Sequence, residues 1–308
     1  MTHTLNLDEA TIELETLRDL VRFCISQFNA ADLLYGHGTD NSFDEAMNLV
    51  LGSIHLPPDM DLSLMNAKLT RSERRLILER LKRRIEDHVP VPYLVKEAWF
   101  GGLGFYVDER VIIPRSPIAE LVEEQFNPWV EEGTVSNILD LCTGSGCIAI
   151  QTAINFPDAA IDAIDESQEA LEVAHINLER FDVADQVTLI RSNLFEKVPA
   201  KQYDIIISNP PYVSEKDYRL LPNEYHHEPK MALIAEDEGL AIVLRILKEA
   251  GQYLTPKGIL VVEVGYLQEK LEAQYPDAPF TWLQFENGGD GVFLLTADEL
   301  HEFQSQLT

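Results

Sequence analysis

The sequence predicts an α/β fold, a Rossmann-like sheet of five parallel strands closed by an antiparallel hairpin, preceded by an N-terminal helical domain. Three observations predict it. From residue 116 onward the short apolar runs "NILDL", "IDAID", "VTLIRS", "YDIIIS" and "ILVVEVG" alternate with helical stretches such as "SQEALEVAHINLERF" and "GLAIVLRILKEAGQYL". Continuous apolar strands separated by helices belong to a parallel sheet covered on both faces. The last two strand-like runs, "FTWLQFE" and "GVFLLT", have only "NGGD" between them. That connection is too short for a helical crossover, so these two pair antiparallel. Residues 1–90, by contrast, carry apolar residues at intervals of three and four with little strand patterning.

In chain order, "TLRDLVRFCISQFNAA", "SFDEAMNLVLGSI" and "RSERRLILERLKRR" read as helices. The third, residues 71–84, repeats Leu76, Ile77, Leu81 and Ile85 at helical spacing, which predicts an amphipathic helix with a basic face. That face is either solvated or in contact with ribosomal RNA. Prolines in "HVPVPYLV" end the helical region, and "EAWFGGLGFYVDERVIIP" reads as a hairpin or short paired strands around a Gly-Gly turn. The expected division is a helical substrate-recognition domain over 1–90, a β-hairpin linker over 91–115 and the main domain over 116–308.

The formal net charge of −28 in 308 residues repels phosphate backbones and disfavours direct nucleic-acid binding. It suits a basic protein partner such as a ribosomal protein, or else serves solubility or adaptation to salt. Apolar stretches such as "GILVVEVG" are too short to span a bilayer, and the acidic, polar N-terminus is unlike a secretory or transit signal. Cys24, Cys142 and Cys147 form no disulfide framework, so a reduced, cytoplasmic setting is expected. Cys142 and Cys147 lack a second Cys or His cluster, and His226-His227 is isolated, so no metal is expected.

"LDLCTGSGCIAI" places a glycine-rich turn between a strand and a helix, where Gly144 and Gly146 permit backbone conformations and approaches that a side chain blocks. Asp165 ends the next strand, where a carboxylate can grip ribose hydroxyls. Gly144-x-Gly146-x-x-Ala149 followed by an acid also satisfies the dinucleotide fingerprint, so an NAD-dependent oxidoreductase is a competing reading. Asp140, four residues before Gly144, favours a cationic cofactor, since beside a pyrophosphate it would be repulsive. Helix capping or turn chemistry is the structural alternative for Asp140 and Asp165. With the closing hairpin, the layout is that of a class I S-adenosylmethionine-dependent methyltransferase.

Residues 209–212, "NPPY", follow the strand "YDIIIS". Neither proline can donate to a sheet ladder, so the stretch is at least a stiff turn. At the carboxyl end of a parallel strand, such a turn faces the ligand. A planar nitrogen is a poor nucleophile, and it must pyramidalise to attack a sulfonium methyl. The Asn209 side-chain oxygen and the Pro210 carbonyl can each accept one N–H of an NH₂ group, orienting it and stabilising the positive charge that grows on it. Pro210 and Pro211 hold those acceptors still, and Tyr212 offers a flat face for stacking. The substrate of such a clamp is an amide or a nucleobase amino group.

"VPYLVKEAWFGGLGFYVDERVIIPRSPIAELV", "LDLCTGSGCIAI", "ISNPPYV" and "HEPKMALIAEDEGL" together resemble the bacterial protein N(5)-glutamine methyltransferase family, from about residue 90 to 296. The resemblance implies S-adenosylmethionine as cofactor, bound by Cys142, Thr143, Gly144, Ser145, Gly146 and Asp165, with Leu194 or Phe195 near its adenine. It implies a substrate glutamine against Asn209, Pro210, Pro211 and Tyr212, and a pocket closed by Glu228-Pro229, although Glu228 also reads as a solvated loop acid. The family has branches acting on peptide chain release factors and on large-subunit ribosomal protein L-3. "IPRSPI" at 113–118 and Cys142, where release-factor enzymes usually carry glycine, resemble the L-3 branch. The target is then the free protein or a ribosome assembly intermediate. Release-factor glutamine methylation, nucleobase amino methylation and a non-enzymatic assembly chaperone are the alternatives.

Overall fold

A computed structural model of the chain describes residues 6–131 and 133–305. Residues 1–5 and 306–308 of the two expected terminal domains lie outside the described residues. The fold divides into two compact units, one of residues up to Ala98 with Pro222–His227, the other of Trp99–Leu221 with the chain from Glu228 onward.

The first unit contains helices α1 (Leu7–Glu13), α2 (Leu17–Ala30), α3 (Ser42–Ser53), α4 (Arg71–Glu86) and α5 (Val91–Val95). Local chemistry sets their starts. Thr16 with Asp19, and Thr70 with Glu73, form reciprocal capping boxes at α2 and α4. The Asn41 side chain accepts the N–H groups of Phe43 and Asp44 at the start of α3. Leu17, Leu20, Val21, Cys24 and Phe28 form the buried stripe of α2 at the expected spacing.

The basic helix departs from its expected faces. Ile77, Leu78 and Leu81 are buried, whereas Leu76 is 39% exposed. Arg84, inside the basic run, is 1% exposed. It donates to Glu45 Oε1 at 2.7 Å, Glu224 Oε1 at 3.0 Å and the Leu34 carbonyl at 2.7 Å. One end of the charged run is therefore part of the interior, because two carboxylates and a carbonyl meet it there.

The second unit opens within β1 (Ala98–Phe100), which pairs with β2 (Leu103–Phe105) in a two-stranded sheet, and continues to α6 (Ile118–Glu123). Its main sheet has β3 (Asn137–Leu141), β4 (Ala160–Asp165), β5 (Val187–Arg191), β6 (Tyr203–Ser208), β7 (Leu254–Glu263), β8 (Thr281–Trp282) and β9 (Val292–Thr296), in the order β5-β4-β3-β6-β7-β9-β8. β3 to β7 pair parallel, and β9 pairs antiparallel with β7 and β8. The intervening helices are α7 (Cys147–Asn155), α8 (Gln168–Phe181), α9 (Glu215–Tyr218), α10 (Ala241–Glu249), α11 (Gln268–Gln274) and, at the end, α12 (Ala297–Gln304).

Strand alternation divides the core into two layers. Ile138, Ile161, Ile205, Ile207 and Val261 pack with Ile148 and Ala149 of α7 on one face. Leu139, Ile206, Leu260 and Val262 pack with Val243 and Leu247 of α10 and Leu300 and Phe303 of α12 on the other. Each such aliphatic side chain removed from water contributes about 1.5–3 kcal/mol, which is why Ile205–Ile207 of β6 and Ile259–Val262 of β7 read as unbroken apolar runs. The closing hairpin is less regular than expected. Only Thr281 and Trp282 of "FTWLQFE" are strand, because the chain then turns away and the N–H groups of Glu286 and Asn287 donate to the Glu120 carboxylate.

Candidate active site

The parallel register aligns the carboxyl ends of the strands. Leu141 is paired with Ile164 on one side and Ser208 on the other, Asp165 with Arg191, and Ser208 with Val262. The residues that follow, Cys142, Ser192 to Leu194, Asn209 and Glu263, therefore emerge side by side, at the spacing of neighbouring strands. A cavity of about 270 Å³ opens there, and Cys142, Gly144, Asp165, Leu194, Asn209 and Pro211 all line it.

The glycine loop is bent by left-handed backbone at Cys142 (φ 60°), Gly144 (φ 56°) and Gly146 (φ 79°). A Cβ at Gly146 would press within 3.2 Å of Ala174 on α8, whereas one at Gly144 would meet no protein atom within 4 Å. Gly146 thus serves helix packing, and Gly144 leaves room on the cavity side. Asp165 pins this loop. Its Oδ2 accepts the Gly144 N–H and its Oδ1 the Ser167 N–H, each at 2.9 Å. Burial raises its carboxyl above the usual range, and the two N–H groups offset part of that rise. A carboxylate with one lone pair on each oxygen already engaged keeps further acceptor capacity for hydroxyls.

The other loop residues stand behind the cavity. Asp140 is 1% exposed, one position inside the end of β3. Thr143 Oγ1 donates to its Oδ2 at 2.5 Å, while its Oδ1 has no hydrogen-bond partner among the described residues. Burial pushes its carboxyl up to about 7. Thr143 and Ser145 are buried, and the Ser145 carbonyl accepts from Asn177 Nδ2 at 2.9 Å. Leu194 (φ 50°) faces the cavity, whereas Phe195 turns into the core and stacks on Tyr253 at 4.8 Å.

In the "NPPY" turn, Asn209 is half-buried and Pro210 buried. Val213 is tied to a neighbouring segment by N–H donation to the Leu233 carbonyl and acceptance from Ala235. Tyr212 donates its hydroxyl to Glu263 Oε1 at 3.1 Å. Glu228 is no solvated acid. It is 3% exposed, accepts both Arg115 guanidinium nitrogens at 2.6 and 2.9 Å, and accepts the Ile113 N–H at 2.9 Å. Its carboxylate fastens residues 113–115 to the loop, and the adjacent Pro229 lines the cavity instead.

Sequence reasoning missed Arg110, Ser192, Asn193, Met231, Ile234 and Ile242, which also line the cavity. Arg110 forks onto Asp108 at 2.9 and 2.8 Å, and Asn193 Oδ1 accepts from Arg245 at 2.8 Å. The position of "RSN" directly after a parallel strand was the available signal for Ser192 and Asn193. Among the described residues no group of three or more His, Cys, Asp or Glu is placed to hold a metal ion, and no helix is long and apolar enough to cross a membrane.

A parallel five-stranded sheet whose last parallel strand is followed by an antiparallel one inserted beside it is the Rossmann-like methyltransferase architecture. Residues 124–223 match the family described as methyltransferase small domain. Over 295 residues the chain is 50% identical to the ribosomal protein uL3 glutamine methyltransferase of Neisseria meningitidis serogroup B, covering 95% of this chain and 97% of that one. The enzyme of the same description from Neisseria gonorrhoeae is also 50% identical, over 95% of this chain and 98% of its own. The chain belongs to this family of glutamine methyltransferases. The oxidoreductase reading of the glycine loop is thereby set aside.

Proposed function

We propose that this chain transfers a methyl group from S-adenosylmethionine to the side-chain amide nitrogen of a glutamine on large-subunit ribosomal protein uL3 (L-3). The observation that carries the reading is the shared cavity: Asn209 and Pro211 line the same space as Gly144 and Asp165. A methyl acceptor and a methyl donor can meet there.

Asp165 is the acceptor for ribose hydroxyls, and the Cys142–Gly146 turn forms the wall beside it. Leu194, Ile234 and Ile242 make an apolar slot for a flat base. When bound, S-adenosylmethionine supplies an electrophilic methyl on a sulfonium. Asn209 Oδ1 and the Pro210 carbonyl accept the two N–H bonds of the glutamine amide and aim its nitrogen. Methyl transfer would form the N–C bond as the S–C bond breaks, releasing the neutral thioether S-adenosylhomocysteine and leaving positive charge on the amide nitrogen that these acceptors face. Fixed acceptors stabilise that charge, and the proton leaves to solvent after transfer. Asparagine needs no protonation change in this scheme, so the catalytic contribution is positioning and electrostatics.

The net charge of −28 supports a strongly basic protein partner, free or within an assembling ribosome, in the cytoplasm. Direct nucleic-acid binding is disfavoured by the same charge. The test is a competition. Enzyme and labelled S-adenosylmethionine are given unmodified uL3 and unmodified release factor together, and peptide mass spectrometry locates the label. Label on a glutamine of uL3 is expected. Label on the release factor would keep the chemistry and overturn the substrate.

A further inference from the structure

Glu263 is a carboxylate where the sequence calls for an aliphatic residue. It ends the apolar run Ile259, Leu260, Val261 and Val262 and is 6% exposed. The β6–β7 register pairs Ser208 with Val262, so Glu263 stands level with Asn209, the residue just past the end of β6. A buried carboxylate is costly unless its oxygens are matched. Here they are matched by two hydroxyls. Ser116 Oγ donates to Oε2 at 2.5 Å, and the Tyr212 hydroxyl to Oε1 at 3.1 Å. Ser116 is itself oriented, since its oxygen accepts the Ile118 N–H at 3.2 Å.

The ring of Tyr212 is confined by its other neighbours as well. Gly265 (φ 52°) lies so close that a Cβ there would sit 2.9 Å from a ring carbon, and Tyr266 meets the ring edge-on at 6.1 Å. The phenol is thus held at its hydroxyl by Glu263 and at its ring by Gly265. Glu263, Ser116 and Tyr212 all stand just outside the cavity lining, and Tyr212 adjoins it through its chain neighbour Pro211, so the contribution of Glu263 and Ser116 reaches the cavity through the "NPPY" turn. Burial raises the Glu263 carboxyl above its usual range, and the Ser116 and Tyr212 hydroxyls and the Arg115 charge pull against that rise.

We propose that Glu263, seated by Ser116, is a positioning residue that fixes the ring of Tyr212 for the incoming acceptor amide. The proposal rests on the function proposed above. Losing a positioning contact misplaces the acceptor and lowers turnover while sparing the cofactor. Tyr212→Phe and Glu263→Ala each reduce kcat on uL3 about tenfold, with the Kd for S-adenosylmethionine within about twofold of wild type. The double variant is no slower than Tyr212→Phe alone, because both changes remove the same contact. Losses that multiply, or wild-type turnover in Glu263→Ala, would overturn it.

Should Glu263→Ala fail to fold, Ser116→Ala carries the same test. It slows the wild-type background several-fold and leaves the Tyr212→Phe background unchanged; equal losses in both refute the relay. A second readout needs no substrate. With 3-fluorotyrosine at position 212, the wild type gives one narrow ¹⁹F resonance, and Ser116→Ala shifts and broadens it. An unmoved resonance refutes the proposal even if uL3 proves not to be the substrate. Failure to label uL3 with the ¹⁹F change intact would instead condemn only the substrate assignment.

Discussion

Asp165 accepts the backbone N–H of Gly144 at 2.9 Å, which joins the acid ending β4 to the glycine loop leaving β3. The carboxylate that would receive ribose hydroxyls is also the one that shapes the loop beside them. Asp165→Ala removes both contributions. Charge-assisted hydrogen bonds contribute about 1.5–3 kcal/mol, so the Kd for S-adenosylmethionine should rise about ten- to a hundredfold. Calorimetry measures this directly. An unchanged Kd would leave Asp165 as a turn residue only.

Asn209 is half-buried at the cavity edge and has no charge to lose. In the proposed reaction its amide oxygen matters most when the substrate nitrogen becomes cationic. Asn209→Ala should therefore lower kcat about a hundredfold or more, the usual size for a lost transition-state hydrogen bond. The Kd for the cofactor should stay within a few-fold of wild type. Wild-type turnover in the variant would remove the amide clamp and favour a non-enzymatic role.

Arg84 is the cation of a buried cluster with Glu45 and Glu224, and His88 Nδ1 lies 3.2 Å from the same Glu224 oxygen. Arg84→Met leaves two buried carboxylates without their guanidinium. Breaking a buried pair from one side costs about 3–5 kcal/mol, and the urea midpoint should fall accordingly. Adding Glu45→Gln and Glu224→Gln should restore most of it. A midpoint unchanged in Arg84→Met would mean the cluster is solvated in solution.

The strands were legible because a central parallel strand is apolar on both faces; "NILDL" and "YDIIIS" coincide with Asn137–Leu141 and Tyr203–Ser208. The strand-end loops were legible because Gly, Asp and Asn-Pro mark turns by their own chemistry. Arg84 was not, since its carboxylate partners lie 39 and 140 residues away and nothing local separates it from the exposed arginines beside it. Met231 and Ile234 were equally hidden, because the stretch that carries them has short turns of 3-10 helix and no sustained period, while the helical pattern of α10 was legible but did not say that Ile242 in its first turn faces the cavity. Glu263 did leave a signal, a single acid closing an apolar strand, which is the pattern of a buried polar group with a partner elsewhere.

Asp140 gives a pH prediction. Burial raises its carboxyl from 3.8 to about 7, the Thr143 hydroxyl and the nearby Ala149 N–H oppose the rise, and the Asp165 charge adds a smaller push upward. A folded-state value above the unfolded one means the folded chain keeps a proton that the unfolded chain has released. The resulting stability is complete below about pH 4 and declines as pH rises toward about 7. One proton corresponds to at most about 1.4 kcal/mol per pH unit over that window, with no further change above it. Asn at 140 cannot ionise, and its side-chain oxygen still accepts from Thr143. Asp140→Asn should therefore gain stability over wild type as pH rises through that window, and the gap should level off near pH 8. Urea unfolding of both proteins at pH 5, 6, 7 and 8 measures it, with the difference between them cancelling the other acids. Parallel curves would show that this carboxylate ionises in the folded chain as it does in the unfolded one.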